Sequence, residues 1–85
     1  MTIKHLHPGN QSTSRLDNLI KLTSIRSENI VSALHDHLVK GHSLETSALI
    51  NGVPEKNLKR AINTLEDTAR IVEAIKDEDW AHFIK

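Results

Sequence analysis

The sequence has 85 residues, 11 basic and 11 acidic side chains, and no cysteine. A chain of this length forms one domain that buries only somewhat more than about 60% of its unfolded surface, so association with a second subunit would add stability. The absence of cysteine excludes disulfides and thiolate zinc sites, and the zero formal charge argues against a domain that holds nucleic acid by bulk electrostatics.

The apolar residues are mostly leucine, isoleucine, valine and alanine, whereas only Trp80 and Phe83 are aromatic. This balance favours packed helices over sheet, and we predict an all-α fold. No apolar run approaches the roughly 20 residues that span a membrane, and the first ten residues lack the apolar core of a signal peptide. We therefore expect a cytoplasmic protein with no membrane partner.

Residues 1–13 are mainly polar and show almost no apolar periodicity. We predict that they form a flexible tail, followed by a single domain over residues 14–85. His5 and His7 lie in this tail, but two imidazoles without nearby carboxylates or thiols are weak evidence for a metal site. We expect neither a metal nor a cofactor.

Two amphipathic helices are predicted next. The first is capped by Ser14, carries leucine and isoleucine at spacings of three and four residues, and ends near Thr23. The second is capped by Ser27 and runs to about Lys40. It stops at Gly41, because glycine readily adopts the left-handed conformation that ends a helix.

Residues 43–63 have the spacing of a helix-turn-helix. Ser43 caps a short helix, and a longer helix begins at Pro54, whose fixed φ suits a first helical turn. Ala48 lets the two helices approach closely. Gly52 supplies the left-handed backbone with which the chain leaves the first of them.

The longer helix of this motif has an apolar face and a basic face. Val53, Leu58 and Ala61 are spaced to bury its inner side, which leaves three basic residues and an asparagine on the side that would enter a DNA groove. The residues predicted to contact DNA are Ser43, Lys56, Lys59, Arg60 and Asn63. The alternative is that the basic residues only solvate an exposed helix face.

Apolar spacing continues beyond Glu66, so the longer helix either runs on or is followed by a fifth helix, and the sequence does not decide between the two. The architecture we predict is a small bundle of about five helices that contains the helix-turn-helix. Trp80, Phe83 and Ile84 are large apolar residues with little core left to fill, and we predict that they form an oligomer interface.

Several features of residues 24–66 occur together in a specific order. They are the serine pair Ser24 and Ser27, the helix ending in Leu38 and Val39, the junction of Gly41, His42 and Ser43, and the apolar Leu65. In these features the chain resembles the PapB/FocB family of adhesin-biosynthesis (fimbrial) transcriptional regulators. The resemblance implies an all-helical, self-associating protein whose partner is double-stranded, A·T-rich DNA near fimbrial promoters. Family members carry a basic residue directly after the Gly-His-Ser junction, where this chain has Leu44.

Three classes of function follow. The leading one is a DNA-binding transcriptional regulator of fimbrial adhesin genes that acts as an oligomer. The alternative is a helical interaction module that modulates a related DNA-binding regulator with little DNA affinity of its own, which the zero net charge and Leu44 favour. An enzyme comes last, because no nucleophile with its base, carboxylate pair, phosphate loop or metal cluster is recognisable.

Overall fold

The computed structural model describes the backbone of residues 6–83 and the side chains of residues 6–80. Within this part of the chain the fold consists of four α-helices and contains no strand. The helices are α1 (Thr13–Lys21), α2 (Glu28–Leu38), α3 (Leu44–Ile50) and α4 (Glu55–Phe83). The all-α prediction is confirmed.

The bundle has four helices in its described part, and not about five, because α4 continues without interruption to Phe83. The sequence over these 29 residues contains neither glycine nor proline, so no residue in it breaks the helical hydrogen-bond ladder. At a rise of about 1.5 Å per residue, α4 is about 43 Å long. None of the described helices has both the length and the apolar composition needed to span a bilayer.

The first three helices begin at serine caps. Ser27 Oγ accepts the backbone N–H of Ile30, and Ser43 Oγ accepts that of Thr46 at 3.1 Å, so both predicted caps are confirmed. In α1 the cap is Ser12, which accepts the N–H of Arg15 at 3.1 Å, and the helix starts earlier than the predicted cap at Ser14. Each cap satisfies one backbone N–H that has no partner within its helix.

The core is formed by the inner faces of all four helices. Helix α4 contributes the longest stripe, and its leucines Leu58 and Leu65 are fully buried. Full burial of one leucine side chain contributes about 1.5–3 kcal/mol. The other buried apolar residues of the four helices are Leu16, Leu19, Ile20, Ala33, Leu34, Leu38, Ala48, Ala61 and Ala69.

Residues 6–12, here called the N-terminal segment, pack against α2 and α4. The Leu6 side chain is only 5% exposed, and the Leu6 N–H donates to Glu66 Oε2 at 3.0 Å. The N–H groups of Gly9 and Gln11 donate to the carbonyl groups at the C-terminal end of α2, at 3.2 and 3.0 Å. Over residues 6–12 the structure therefore differs from the prediction of a flexible tail, because the Leu6 side chain reaches the core. Residues 1–5 lie outside the described part.

The N-terminal segment crosses the end of α2 at a pair of glycines. Gly9 and Gly41 both have positive φ values, +70° and +85°. A Cβ atom on Gly9 would lie 3.3 Å from the Cα atom of Gly41, which is closer than ordinary van der Waals contact. The crossing therefore depends on glycine both for its backbone conformation and for its close approach.

Candidate nucleic-acid interface

Helices α3 and α4 are joined by a tight turn. The chain leaves α3 through Asn51 and through Gly52, whose φ is +65°. The Val53 N–H then donates to the carbonyl oxygen of Ala48 at 3.0 Å, and Ala48 itself is buried. Pro54 precedes α4, and its carbonyl oxygen accepts the N–H of Leu58 at 3.1 Å. This turn fixes where the first residues of α4 stand relative to α3.

One side of the first two turns of α4 carries the predicted DNA-contacting residues of that helix. Lys56, Lys59, Arg60 and Asn63 are separated by three, one and three residues, so they project from one helix face, and all four side chains are exposed. Together with Glu55 they line a shallow depression of about 540 Å³. We refer to these four residues as the basic face.

The cations of the basic face are available to a partner. Within the part of the chain that the structure describes, Lys56, Lys59 and Arg60 take part in no ion pair. An anionic ligand would therefore not have to displace a carboxylate of the described residues from any of them. Among the described residues that line the depression, Glu55 is the acidic one, and it lies in the first turn of α4.

Ser43 stands apart from the basic face and does not line the depression. Its hydroxyl accepts the Thr46 N–H and donates to Thr46 Oγ1 at 2.9 Å, so both of its hydrogen bonds stay inside the first turn of α3. Leu44, the next residue, is half-buried and packs against the core. The structure thus brings together four of the five predicted contact residues, and it gives Ser43 a capping role.

The junction between α2 and α3 is held by a carboxylate. Asp36 accepts hydrogen bonds from Asn51 Nδ2 at 2.8 Å and from Lys40 Nζ at 3.3 Å. The amide of Asn51, assisted by the Lys40 charge, lowers the pKa of Asp36 below its ordinary value. The His42 N–H donates to the Asp36 carbonyl oxygen at 3.0 Å, and His37 Nδ1 donates to the His42 carbonyl oxygen at 2.7 Å. These bonds brace the loop that precedes Ser43.

Two grooves flank the basic face, and neither is evident from the sequence. One, of about 270 Å³, separates α4 from the linker between α1 and α2, and Arg60 belongs both to its wall and to the basic face. Its lining residues are Ser24, Ile25, Ser27, Ile30, Asn57, Arg60, Ala61 and Thr64. The other, of about 250 Å³, lies where the N-terminal segment and the end of α2 meet Ile62, Asn63 and Glu66 of α4.

The distal part of α4 has the opposite charge character. Beyond Glu66 it contains Asp67, Glu73 and the acidic run Asp77, Glu78 and Asp79. Arg15 of α1 donates to Glu73 Oε1 at 3.1 Å, and this hydrogen bond, with the charge of Lys76, lowers the pKa of Glu73 below its ordinary value. Helix α4 is therefore basic near its start and acidic towards its end.

Exposed apolar residues lie along the same distal part of α4. Trp80 is 66% exposed, and Ile71 and Ile75 are each more than half exposed. Of the predicted oligomer interface, the side chain of Phe83 and all of Ile84 lie outside the described residues. Among residues 6–80, no three histidine, aspartate or glutamate side chains converge in a way that could hold a metal ion.

The family to which the chain is related follows from comparison with known proteins. The family model described as PapB, adhesin biosynthesis transcription regulatory protein, matches residues 1–77. The chain belongs to this family. The fold of this PapB-family protein is similar to the crystal structure of E. coli FocB, with a TM-score of 0.80 and 23% sequence identity over 86% of this chain and 83% of that chain. A search of curated proteins gives no match.

Membership in the PapB family places the chain among regulators of transcription. The predicted resemblance is thereby confirmed, and it extends well beyond residues 24–66. The similarity to FocB, at 23% identity, establishes a shared all-helical fold. The α3–α4 unit and the basic face are therefore features of a PapB-family regulator, for which DNA is the general partner.

Proposed function

We propose that this chain is a DNA-binding transcriptional regulator of fimbrial adhesin genes, in which α3 and α4 act as a helix-turn-helix. The observation that carries the proposal is the basic face, because three cations without an internal ion pair in the described residues project from one side of α4. In a helix-turn-helix the second helix approaches the DNA and the first crosses the backbone. The contact residues are Lys56, Lys59, Arg60 and Asn63, with Ser43 at the start of α3.

The charge distribution implies that one copy binds weakly. If each of the three cations neutralises one phosphate, log K falls with log salt concentration with a slope of about −3. Binding as an oligomer multiplies this number of contacts, and it compensates for a chain whose net charge is zero. We propose A·T-rich promoter DNA as the target and the cytoplasm as the location.

The DNA-binding role is tested by a mobility-shift titration of the full chain on A·T-rich and G·C-rich duplexes at low and moderate salt. The triple variant Lys56→Ala, Lys59→Ala, Arg60→Ala is expected to weaken binding by about tenfold or more at low salt and to flatten the salt dependence. The control for net charge removes three exposed cations elsewhere, Lys21, Lys40 and Lys76, of which Lys40 and Lys76 form ion pairs with Asp36 and Glu73. Equal losses in both triple variants would show that only net charge matters, and would reject the basic face as the site.

Self-association is proposed through the distal part of α4, with Trp80, Phe83 and Ile84 as the contact residues. The 66% exposure of the Trp80 side chain supports this, since large aromatic residues left on a surface are typical of interfaces. Sedimentation of Trp80→Ala is expected to show a smaller assembly than the unsubstituted chain. Leu49→Ala removes an apolar side chain that is 82% exposed on α3 and serves as the control. An assembly state unchanged by Trp80→Ala would place the contact elsewhere.

A second candidate is a helical interaction module that acts on a related DNA-binding regulator. It is favoured by the position of Leu44, because the first turn of α3 carries a half-buried leucine packed on the core instead of a basic residue. Under this proposal the chain alone gives no shift on DNA but alters the shift produced by a related regulator. The titration described above distinguishes the two candidates directly.

A further inference from the structure

We infer that the linker between α1 and α2, residues 22–27, is a second contact to the DNA backbone beside the basic face. The inference rests on the proposed function and extends it to residues on a different part of the chain. The phosphodiester backbone of the duplex that meets the basic face is the ligand. Arg26 and Ser24 are the linker residues that contact it.

The linker and the basic face are parts of one continuous surface. Arg60 belongs to the basic face and also lines the groove that separates α4 from the linker. Ser24 and Ser27 line the opposite wall of that groove, facing Asn57 and Thr64 of α4. A backbone phosphate bound by Arg60 would therefore lie beside the hydroxyl groups of the linker.

The linker is held in place before any ligand arrives. Thr23 Oγ1 donates to the Ile20 carbonyl oxygen at 2.7 Å and accepts the Ile25 N–H at 3.2 Å. The Ile25 side chain is half-buried and packs against the core. A contact made by such a segment requires little ordering on binding, which is the condition under which a single ion pair contributes most.

The charge of the linker matches a phosphate. Arg26 is exposed, and its Nη1 atom donates to the carbonyl oxygens of Thr23 and Ile25, both at 2.8 Å. A guanidinium carries five N–H donors, so this arrangement orients the group and leaves donors for an external anion. Among the described residues, Arg26 has no carboxylate partner and the groove lining contains no acidic residue. Arg26 is not itself a lining residue of the groove, but it lies in the chain between two that are, Ile25 and Ser27. Glu28, the nearest acidic residue in sequence, does not line the groove either.

The test measures DNA affinity of the full chain by fluorescence anisotropy at about 50 and 200 mM salt, the range over which phosphate contacts are most evident. Arg26→Gln removes the charge but keeps an N–H group for the linker carbonyl oxygens, whereas Arg26→Lys keeps the charge. We expect Arg26→Gln to weaken binding about three- to tenfold at the lower salt and to reduce the salt slope by about 0.9. Arg26→Lys should retain the slope.

A second pair of variants leaves the linker hydrogen bonds intact. Ser24→Asp places a negative charge on the groove wall and is expected to weaken binding by repelling the phosphate. Ser32→Asp changes the net charge equally at an exposed position of α2 outside the groove, and it should have little effect. Thermal melts of all variants separate loss of fold from loss of contact.

The outcomes distinguish this inference from the proposed function. If Arg26→Gln and Ser24→Asp bind like the unsubstituted chain while the triple variant of the basic face loses affinity, the linker is not a contact and the proposed function stands. If Arg26→Gln and Arg26→Lys are equally weak, the arginine only shapes the linker, which also overturns the inference. If the unsubstituted chain binds no duplex at either salt concentration, the proposed function fails and the inference fails with it.

Discussion

Replacing Leu6 by alanine tests whether the N-terminal segment is part of the fold. The Leu6 side chain is 5% exposed and lies in the groove where Leu38 of α2 meets Ile62 of α4. Leucine-to-alanine changes in cores cost about 2–5 kcal/mol, depending on how far the site collapses around the lost atoms. Because Leu6 is at the edge of the core, next to a groove of about 250 Å³, we expect a loss at the lower end, about 2–3 kcal/mol.

This loss is large for a chain of 85 residues, whose total stability is of the order of 5–15 kcal/mol. The melting temperature is expected to fall by roughly 10–20 °C, since 1 kcal/mol shifts it by about 4–8 °C in a domain of this size. The assay is urea unfolding followed by far-ultraviolet circular dichroism. A lower midpoint at an unchanged denaturant slope would show that the free energy of unfolding has fallen and that the surface exposed on unfolding has not changed.

Two exposed leucines provide the controls for Leu6→Ala. The side chains of Leu22 and Leu49 are 65% and 82% exposed, and their replacement by alanine should change the free energy of unfolding by no more than about 0.5 kcal/mol. If Leu6→Ala also lies within about 0.5 kcal/mol of the unsubstituted chain, the segment contributes nothing to stability. The reasoning from its burial would then be refuted, and the prediction of a flexible tail would hold for residues 6–12.

Three further predictions concern α3 and its surroundings. Leu44→Arg should lower the free energy of unfolding by about 1 kcal/mol, because the half-buried leucine side chain packs on the core. The DNA affinity should stay within about twofold of that of the unsubstituted chain. Tighter binding at unchanged stability would place this residue on the DNA. Ser47→Ala should raise the free energy of unfolding by about 1 kcal/mol, because Ser47 Oγ is buried without a hydrogen-bond partner among the described residues. A lower stability of this variant in urea unfolding would show that the hydroxyl group does have a hydrogen-bond partner. The pKa of Asp36 is lowered in the folded protein. The stability that its carboxylate contributes is therefore fully present above the unfolded pKa of about 3.9 and is lost as pH falls through the folded pKa. Asn51→Ala should therefore reduce stability at pH 7 and converge with the unsubstituted chain in acid, whereas a difference independent of pH would exclude this linkage.

The helix boundaries that the sequence predicts correctly are set by neighbouring residues. Ser27 and Ser43 cap α2 and α3 as predicted, because a serine hydroxyl satisfies an N–H only three residues away. Gly41 and Gly52 take the predicted left-handed conformations at the ends of these helices. The same local reasoning does not separate Ser12 from Ser14 in α1, since both are serines before an apolar stripe; the prediction was Ser14, and the cap is Ser12.

The basic face was also predictable, since side chains three and four residues apart share one side of any helix. Its exposure follows from the apolar residues on the opposite side, Leu58, Ala61 and Leu65, which the bundle buries. Ser43 was harder to place, because a serine before a helix is a cap in most structures whether or not it also meets a ligand. Only the structure distinguishes Ser43 from the other four residues, because those four line the depression on α4 and Ser43 does not.

The sequence by itself determines the helical class, the α3–α4 unit and the basic face, because each depends on residues within a few positions of one another along one helix or turn. The tertiary structure decides the docking of Leu6 and the position of the groove beside the α1–α2 linker. Leu6 and Glu66 are 60 residues apart in the chain but joined by a hydrogen bond of 3.0 Å. Such contacts form where separately specified surfaces happen to fit, and no periodicity in the chain records which surfaces will meet.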